Sequence, residues 1–154
     1  MLKNYTSQIP VLRSVQGIEA KLIYHGANNI LKEYGKDRQL SGICFDLSIN
    51  GKTILFKLPA RVQNCNNILY AQIRRPNSGT EKKVKEQAER TAWKILSDWV
   101  DIQMSMIELQ QTEIMEVFLP YVYDPSSKTT FFEQLKEKKF KGLLGTGNVE
   151  KERG

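Results

Sequence analysis

Between Thr80 and Leu109 the apolar residues Ala88, Ala92, Ile95, Trp99, Ile102, Met106 and Leu109 recur at steps of four and three. That spacing places them on one face of a long helix, with Lys83, Gln87, Arg90, Lys94, Asp98, Asp101, Ser105 and Glu108 opposite. A stripe of this kind must be buried against a second layer. The steps fit packing on a sheet, and they also fit a coiled-coil seam of about three heptads, which would make a homodimer through residues 88–109.

The sheet is supplied upstream. From Leu40 to Ile49 the chain alternates, with Ile43, Phe45, Leu47 and Ile49 on one side and Cys44, Asp46 and Ser48 on the other. Asn50-Gly51 follows, the pair best suited to a two-residue hairpin because both central positions need positive φ. Thr53 to Leu58 then resumes the alternation through Ile54, Phe56 and Leu58, and Pro59 ends it. Asn29 to Tyr34 reads as a further strand, and Gly35, Lys36 and Asp37 as a turn.

Shorter helices surround these elements. Ser14 is placed to cap a first helix in which Val15, Ile18 and Leu22 share a face, ending at Gly26 after His25. Ala60 to Arg75 leans to helix through Val62, Cys65, Leu69 and Ile73, against a strand alternative through Ile68, Tyr70 and Gln72. Pro76 to Gly79 forms a loop with Ser78 or Thr80 as the cap of the long helix. Thr130-Phe131-Phe132-Glu133 matches a capping box and predicts a last helix from Phe131 to about Lys141, stopped by Gly142. The expected architecture is α+β: a single domain over residues 14–144, with two or three antiparallel strands packed on the long helix. Residues 1–13 are expected to be an extended segment and residues 145–154 a mobile tail.

Composition narrows the function classes. At 154 residues, with 40% hydrophobic and 26% charged side chains, the chain has the makings of one folded core. No apolar run approaches the roughly 20 residues that cross a bilayer, and Met1 to Pro10 lacks the apolar stretch of a secretory signal. A cytoplasmic protein with no membrane partner is expected. Cys44 and Cys65 lie in separate predicted elements and His25 is the sole histidine, so buried free thiols are expected and no metal or other cofactor.

The net charge of +6 is uneven: residues 1–100 carry a net +8 and residues 101–154 a net −2. The candidate nucleic-acid-binding residues are Arg74, Arg75, Lys82, Lys83, Lys85 and Arg90, gathered around the start of the long helix. Cations there can neutralise phosphates and release counterions. Glu81, Glu86 and Glu89 are interleaved and offer the competing outcome, a face of exposed helix ion pairs. Trp93 and Tyr70 are candidates for base stacking, whereas Trp99 falls on the apolar stripe. No catalytic set converges: Asp46 and Lys57 lack a second acidic residue, and a nucleophile would rely on His25 alone. A non-enzymatic protein is expected.

The order helix, three strands, helix, with Lys82, Lys83 and Lys85 opening the last helix, resembles a double-stranded-RNA-binding domain. The resemblance implies lysines that grip phosphates across a groove. A strand over Ile68 to Arg74 would instead be similar to the core of phage single-strand-annealing proteins. At the level of residues, His25-Gly26-Ala27, Phe56-Lys57-Leu58-Pro59-Ala60, Glu89-Arg90-Thr91-Ala92-Trp93-Lys94-Ile95, Asp98-Trp99 and Val117-Phe118-Leu119-Pro120-Tyr121 resemble a family of short proteins encoded in bacteriophage and prophage-type genomes, from about Ile18 to Leu144. This implies a mobile-element origin and supplies no active site. Two functions are expected on these grounds. The first is binding of nucleic acid, DNA or RNA, in replication, recombination or host takeover. The alternative is inhibition of a host defence complex by protein–protein binding, as an anti-CRISPR protein does.

Overall fold

The alternation on either side of Asn50-Gly51 folds as a hairpin. In the computed structural model, which describes residues 1–143, the elements are α1 (Val11–Tyr24), β1 (Ile30–Tyr34), β2 (Leu40–Ile49), β3 (Lys52–Pro59), α2 (Val62–Ala71), α3 (Thr80–Glu108), α4 (Ile114–Phe118), β4 (Tyr123–Asp124), β5 (Thr129–Thr130) and α5 (Phe131–Glu137). The first three strands form an antiparallel sheet in the order β1-β2-β3, and β4 pairs with β5 in a small hairpin. The fold is α+β, in one compact domain. The tail predicted over 145–154 lies outside the described residues.

Asn50 and Gly51 both have positive φ, 52° and 78°, and the register Ile49↔Lys52 closes the two-residue turn between them. Ile43, Phe45 and Leu47 face Leu58, Phe56 and Ile54 across the ladder. On the expected polar side of β2, Cys44 and Asp46 are buried as well, because the strand's central position brings cover from both neighbours, while Ser48 stays exposed. Glu33 and Lys57 close over Cys44, and the carboxylate of Asp46 takes the backbone N–H groups of Asn28 and Asn29 at 3.1 and 3.0 Å and the Asn29 side-chain amide at 2.6 Å.

Those hydrogen bonds, the Asn29 amide first, hold the Asp46 carboxyl below its ordinary value of 3.8. A carboxylate whose folded value is depressed stabilises the fold fully above its unfolded value, and the contribution is lost as pH falls through the folded one. Asp46→Asn keeps one acceptor for three donors. We expect it to cost about 1.5–3 kcal/mol at neutral pH. Urea midpoints measured from neutral to acid pH should show the variant and wild type converging below the Asp46 titration; a constant gap would refute the assignment.

Two sequence-based boundaries are corrected, and the stretch that leaned to helix is a helix. The first helix starts at Val11, so the extended segment is shorter than 1–13. Pro10 takes the N-cap place, its carbonyl accepting from Arg13 and Ser14, while Ser14 sits buried on the apolar face with Val15, Ile18 and Leu22. A proline with φ of −59° is already set for helix entry, which outweighs the capping signal of a serine four residues on. Residues 60–75 resolve as helix over Val62–Ala71, which removes the strand reading and with it the similarity to single-strand-annealing cores. The last helix ends at Glu137, short of Lys141, because Lys139 and Phe140 turn to positive φ. Its capping box is present: Thr130 Oγ1 accepts from the Glu133 amide, and the Glu133 carboxylate accepts from the Thr130 amide.

The long helix is where the pattern departs most. The buried positions of α3 are Val84, Ala88, Thr91, Ala92, Trp93, Val100 and Met104, whereas Ile102 and Leu109 of the predicted stripe are 53% and 75% exposed. Three successive residues point about 100° apart, and each meets a different element. Thr91 Oγ1 donates to the carbonyl of Asn4, Ala92 borders α2, and the Trp93 indole donates to the carbonyl of Leu40 on β2. The segment before α1 lies along the same helix, with Asn4 on Asp98 and Ser7 on Gln87 and Arg90, and α1 then runs beside it through Lys21–Asp101. Thus α3 is a spine wrapped by its own chain. Of the 88–109 stripe, Ala88 and Ala92 are buried and Ile95, Trp99 and Met106 are half-buried.

After α4, Phe118 inserts fully buried between Phe45, Phe56 and Trp99, with ring centroids 5.5–6.0 Å away. Val122 then bridges the edge of β3 at Phe56. The C-terminal elements therefore share the core of the sheet.

Candidate functional site

The antiparallel helices α2 and α3 meet at residues 72–79; Arg74 and Arg75 lie in this junction, and Lys82, Lys83 and Lys85 in the turns of α3 that follow it. Its geometry is fixed by short polar contacts: Asn77 Oδ1 accepts from the Gly79 amide at 2.9 Å, and Thr80 Oγ1 accepts from the Asn77 amide at 2.9 Å. Neither Ser78 nor Thr80 caps the helix. The Thr80 hydroxyl turns back into the loop, and Gly79 takes the N-cap place.

Arg74, Arg75, Lys82, Lys83 and Lys85 are all exposed. Among the described residues Arg74, Arg75, Lys82 and Lys83 have no carboxylate within ion-pair distance, and the interleaved Glu81, Glu86 and Glu89 pair with none of the candidate cations. Lys85 reaches Asp37 at 3.8 Å across open solvent, a pair that screening leaves weak. It nonetheless places the β1–β2 turn beside α3. Lys36 and Arg38 flank Asp37 there, two cations that were read from sequence only as parts of a turn or not at all. Asp37 and Arg38 both adopt positive φ, 61° and 57°, a conformation that costs a non-glycine residue about 1–2 kcal/mol. The alternation of charge around Asp37 was the available signal.

Arg90 belongs to a different environment. It lies on the face of Lys83 two turns further on, where the segment before α1 covers the helix. Its Nε donates to the Ser7 carbonyl at 3.2 Å and its Nη2 to Gln87 Oε1 at 2.7 Å, and the side chain is half-buried. Arg90 is therefore an anchor for that segment, and the expectation that it stands with the free cations is corrected. Trp93 is corrected too: at 1% exposure, with its indole N–H committed to Leu40, it cannot stack on a base. Tyr70 remains exposed on α2, and Trp99 is half-buried against Phe118 and Tyr121.

Several other titratable groups make contacts within the fold. His25 ends α1 with Nδ1 2.9 Å from the Lys21 carbonyl and Nε2 3.4 Å from Glu108. Lys57 bonds Glu33 at 2.7 Å, holds that carboxyl below its ordinary range, and sits 5.1 Å over the Tyr123 ring. Cys44 and Cys65 are free and buried; burial pushes both thiols up, Cys44 to about 11 with the nearby Glu33 adding to the shift. Burial would raise the Asp98 carboxyl, but Lys94 and Asn4 bond it and hold it down. Among the described residues no group of three or more histidine, cysteine, aspartate or glutamate side chains could hold a metal ion. No helix among them is long and apolar enough to cross a membrane. No protein-family model matches the chain, and no curated protein or solved structure does so either.

Proposed function

We propose that the chain binds nucleic acid without chemistry, through the exposed cations Arg74, Arg75, Lys82, Lys83 and Lys85 at the α2–α3 junction. The observation that carries this reading is that the first four stand together, exposed, with no carboxylate partner among the described residues. Cations left in that state repel one another, and a polyanion relieves the repulsion while releasing its own counterions. Lys36 and Arg38 extend the same cationic surface toward the β1–β2 turn. In a mobile-element genome such a protein would act as an accessory to replication, recombination or host takeover.

The test is binding of labelled single- and double-stranded DNA and RNA as salt rises from about 50 to 200 mM. Five phosphate contacts give a slope of log K against log salt of about −3.5 on single strands and −4.5 on duplex. Absence of any shift at the lower salt would refute the reading and assign the surface to an acidic protein partner, such as a component of a host defence complex.

A further inference from the structure

Beside the free cations lies a cavity of about 540 Å³ between the end of α2 and the first turns of α3. Its floor is apolar, made by the buried Leu69 and Val84, and its mouth holds Tyr5 and Ile73, 41% and 40% exposed. Lys83 and Arg90 also line it, and Arg74 and Arg75 follow Ile73 directly in the chain. Glu86 is the acidic side chain in the lining.

Tyr5 belongs to an irregular segment, yet both its flanks are tied down. The Asn4 carbonyl accepts from Thr91 at 2.9 Å, and the Ser7 carbonyl accepts from Gln87 at 3.1 Å and Arg90 at 3.2 Å. The backbone on either side of the aromatic wall is thus held in place before any ligand arrives, which removes part of the ordering cost of binding. Arg90 is fixed by the same contacts, and its guanidinium keeps N–H groups beyond the two it has committed.

An aromatic ring beside an apolar floor, with the amide of Gln72 and the cations Lys83 and Arg90 around it, suits a flat heterocycle joined to a phosphate. Bases in a duplex are paired and stacked and cannot enter such a cavity; an unpaired base can. We infer that this groove seats an unpaired nucleobase against Tyr5, so that the ligand of the cationic junction is single-stranded nucleic acid. The inference rests on the nucleic-acid reading above and narrows it to one class of strand. Lys83 and the arginines after Ile73 hold the backbone while the groove holds the base.

Fluorescence anisotropy with a mixed-sequence strand of about 16 nucleotides, and with the duplex it forms with its complement, tests this at about 50 mM salt. Wild type should favour the single strand about tenfold or more. Tyr5→Ala should weaken the single strand about tenfold and leave duplex affinity unchanged, and Tyr5→Phe, which keeps the ring, should bind as wild type. Melting curves of both variants within a few degrees of wild type would show that the fold is kept. Preference for duplex overturns the inference while leaving nucleic-acid binding in place. So does a Tyr5→Ala variant that binds the single strand normally. Failure to bind either ligand overturns both.

Discussion

Phe118→Ala is expected to destabilise the protein by about 3–5 kcal/mol. The ring is fully buried and stands edge-on to Phe45, Phe56 and Trp99, so truncation removes both its own transfer energy and three aromatic contacts. Phe45 and Phe56 are held in a sheet ladder and Trp99 in the middle of α3, which leaves the surroundings little freedom to collapse into the void. Phe118→Leu should recover part of the loss. Urea unfolding followed by tryptophan fluorescence and by circular dichroism should show a lower midpoint, an unchanged slope and coincident transitions. A loss under about 1 kcal/mol would place Phe118 outside the shared core. Two separated transitions in wild type would show that the C-terminal elements fold independently of the sheet.

The second large effect is on binding. Changing Lys82, Lys83 and Lys85 together to glutamate is expected to lower affinity for nucleic acid about a hundredfold at 50 mM salt and to flatten the salt dependence by about two to three units of slope. All three side chains are exposed and only Lys85 has a carboxylate nearby, 3.8 Å away, so the melting temperature should barely move. Lys136, Lys138 and Lys139, exposed at the end of α5, provide the matched control. Changing those three to glutamate lowers the net charge by the same six units. If the two triple variants lose affinity equally, the chain binds through overall charge and the α2–α3 junction is not the site. Arg90→Lys makes a useful third comparison, since it keeps the charge but cannot keep both the Ser7 and Gln87 contacts in the same geometry.

The strands were legible because their signals are local. Alternation and the Asn-Gly pair specify faces and turn within twenty residues, and β2 spans Leu40–Ile49 as read. The capping box at Thr130 was equally self-contained. The face of α3 was less legible, because periodicity assumes one neighbour and this helix has several. Thr91 looked polar and is fully buried, since Asn4 accepts its hydroxyl proton; Trp93 looked peripheral and is buried, since the start of β2 covers it. Neither partner is near in sequence. The candidate site was legible as a set of charges, and its makeup was not. Which arginine is an anchor depends on where Ser7 lies, and which lysine finds a carboxylate depends on where Asp37 lies. The groove beside them was hidden for the same reason, as Tyr5 reaches it from some eighty residues away.

The same arrangement imposes an order on synthesis. Asn4 bonds Asp98 and Thr91, partners made 94 and 87 residues later. At about 5–20 residues per second this leaves the opening segment roughly 5–20 s without its dock. The β2–β3 hairpin has its partner strand within twenty residues, whereas the opening segment and α1 both wait for α3, so neither can seat before α3 has cleared the ribosome. The wall of the groove is thus set only after α3 is made, and until then the chain carries its cations without Tyr5 beside them.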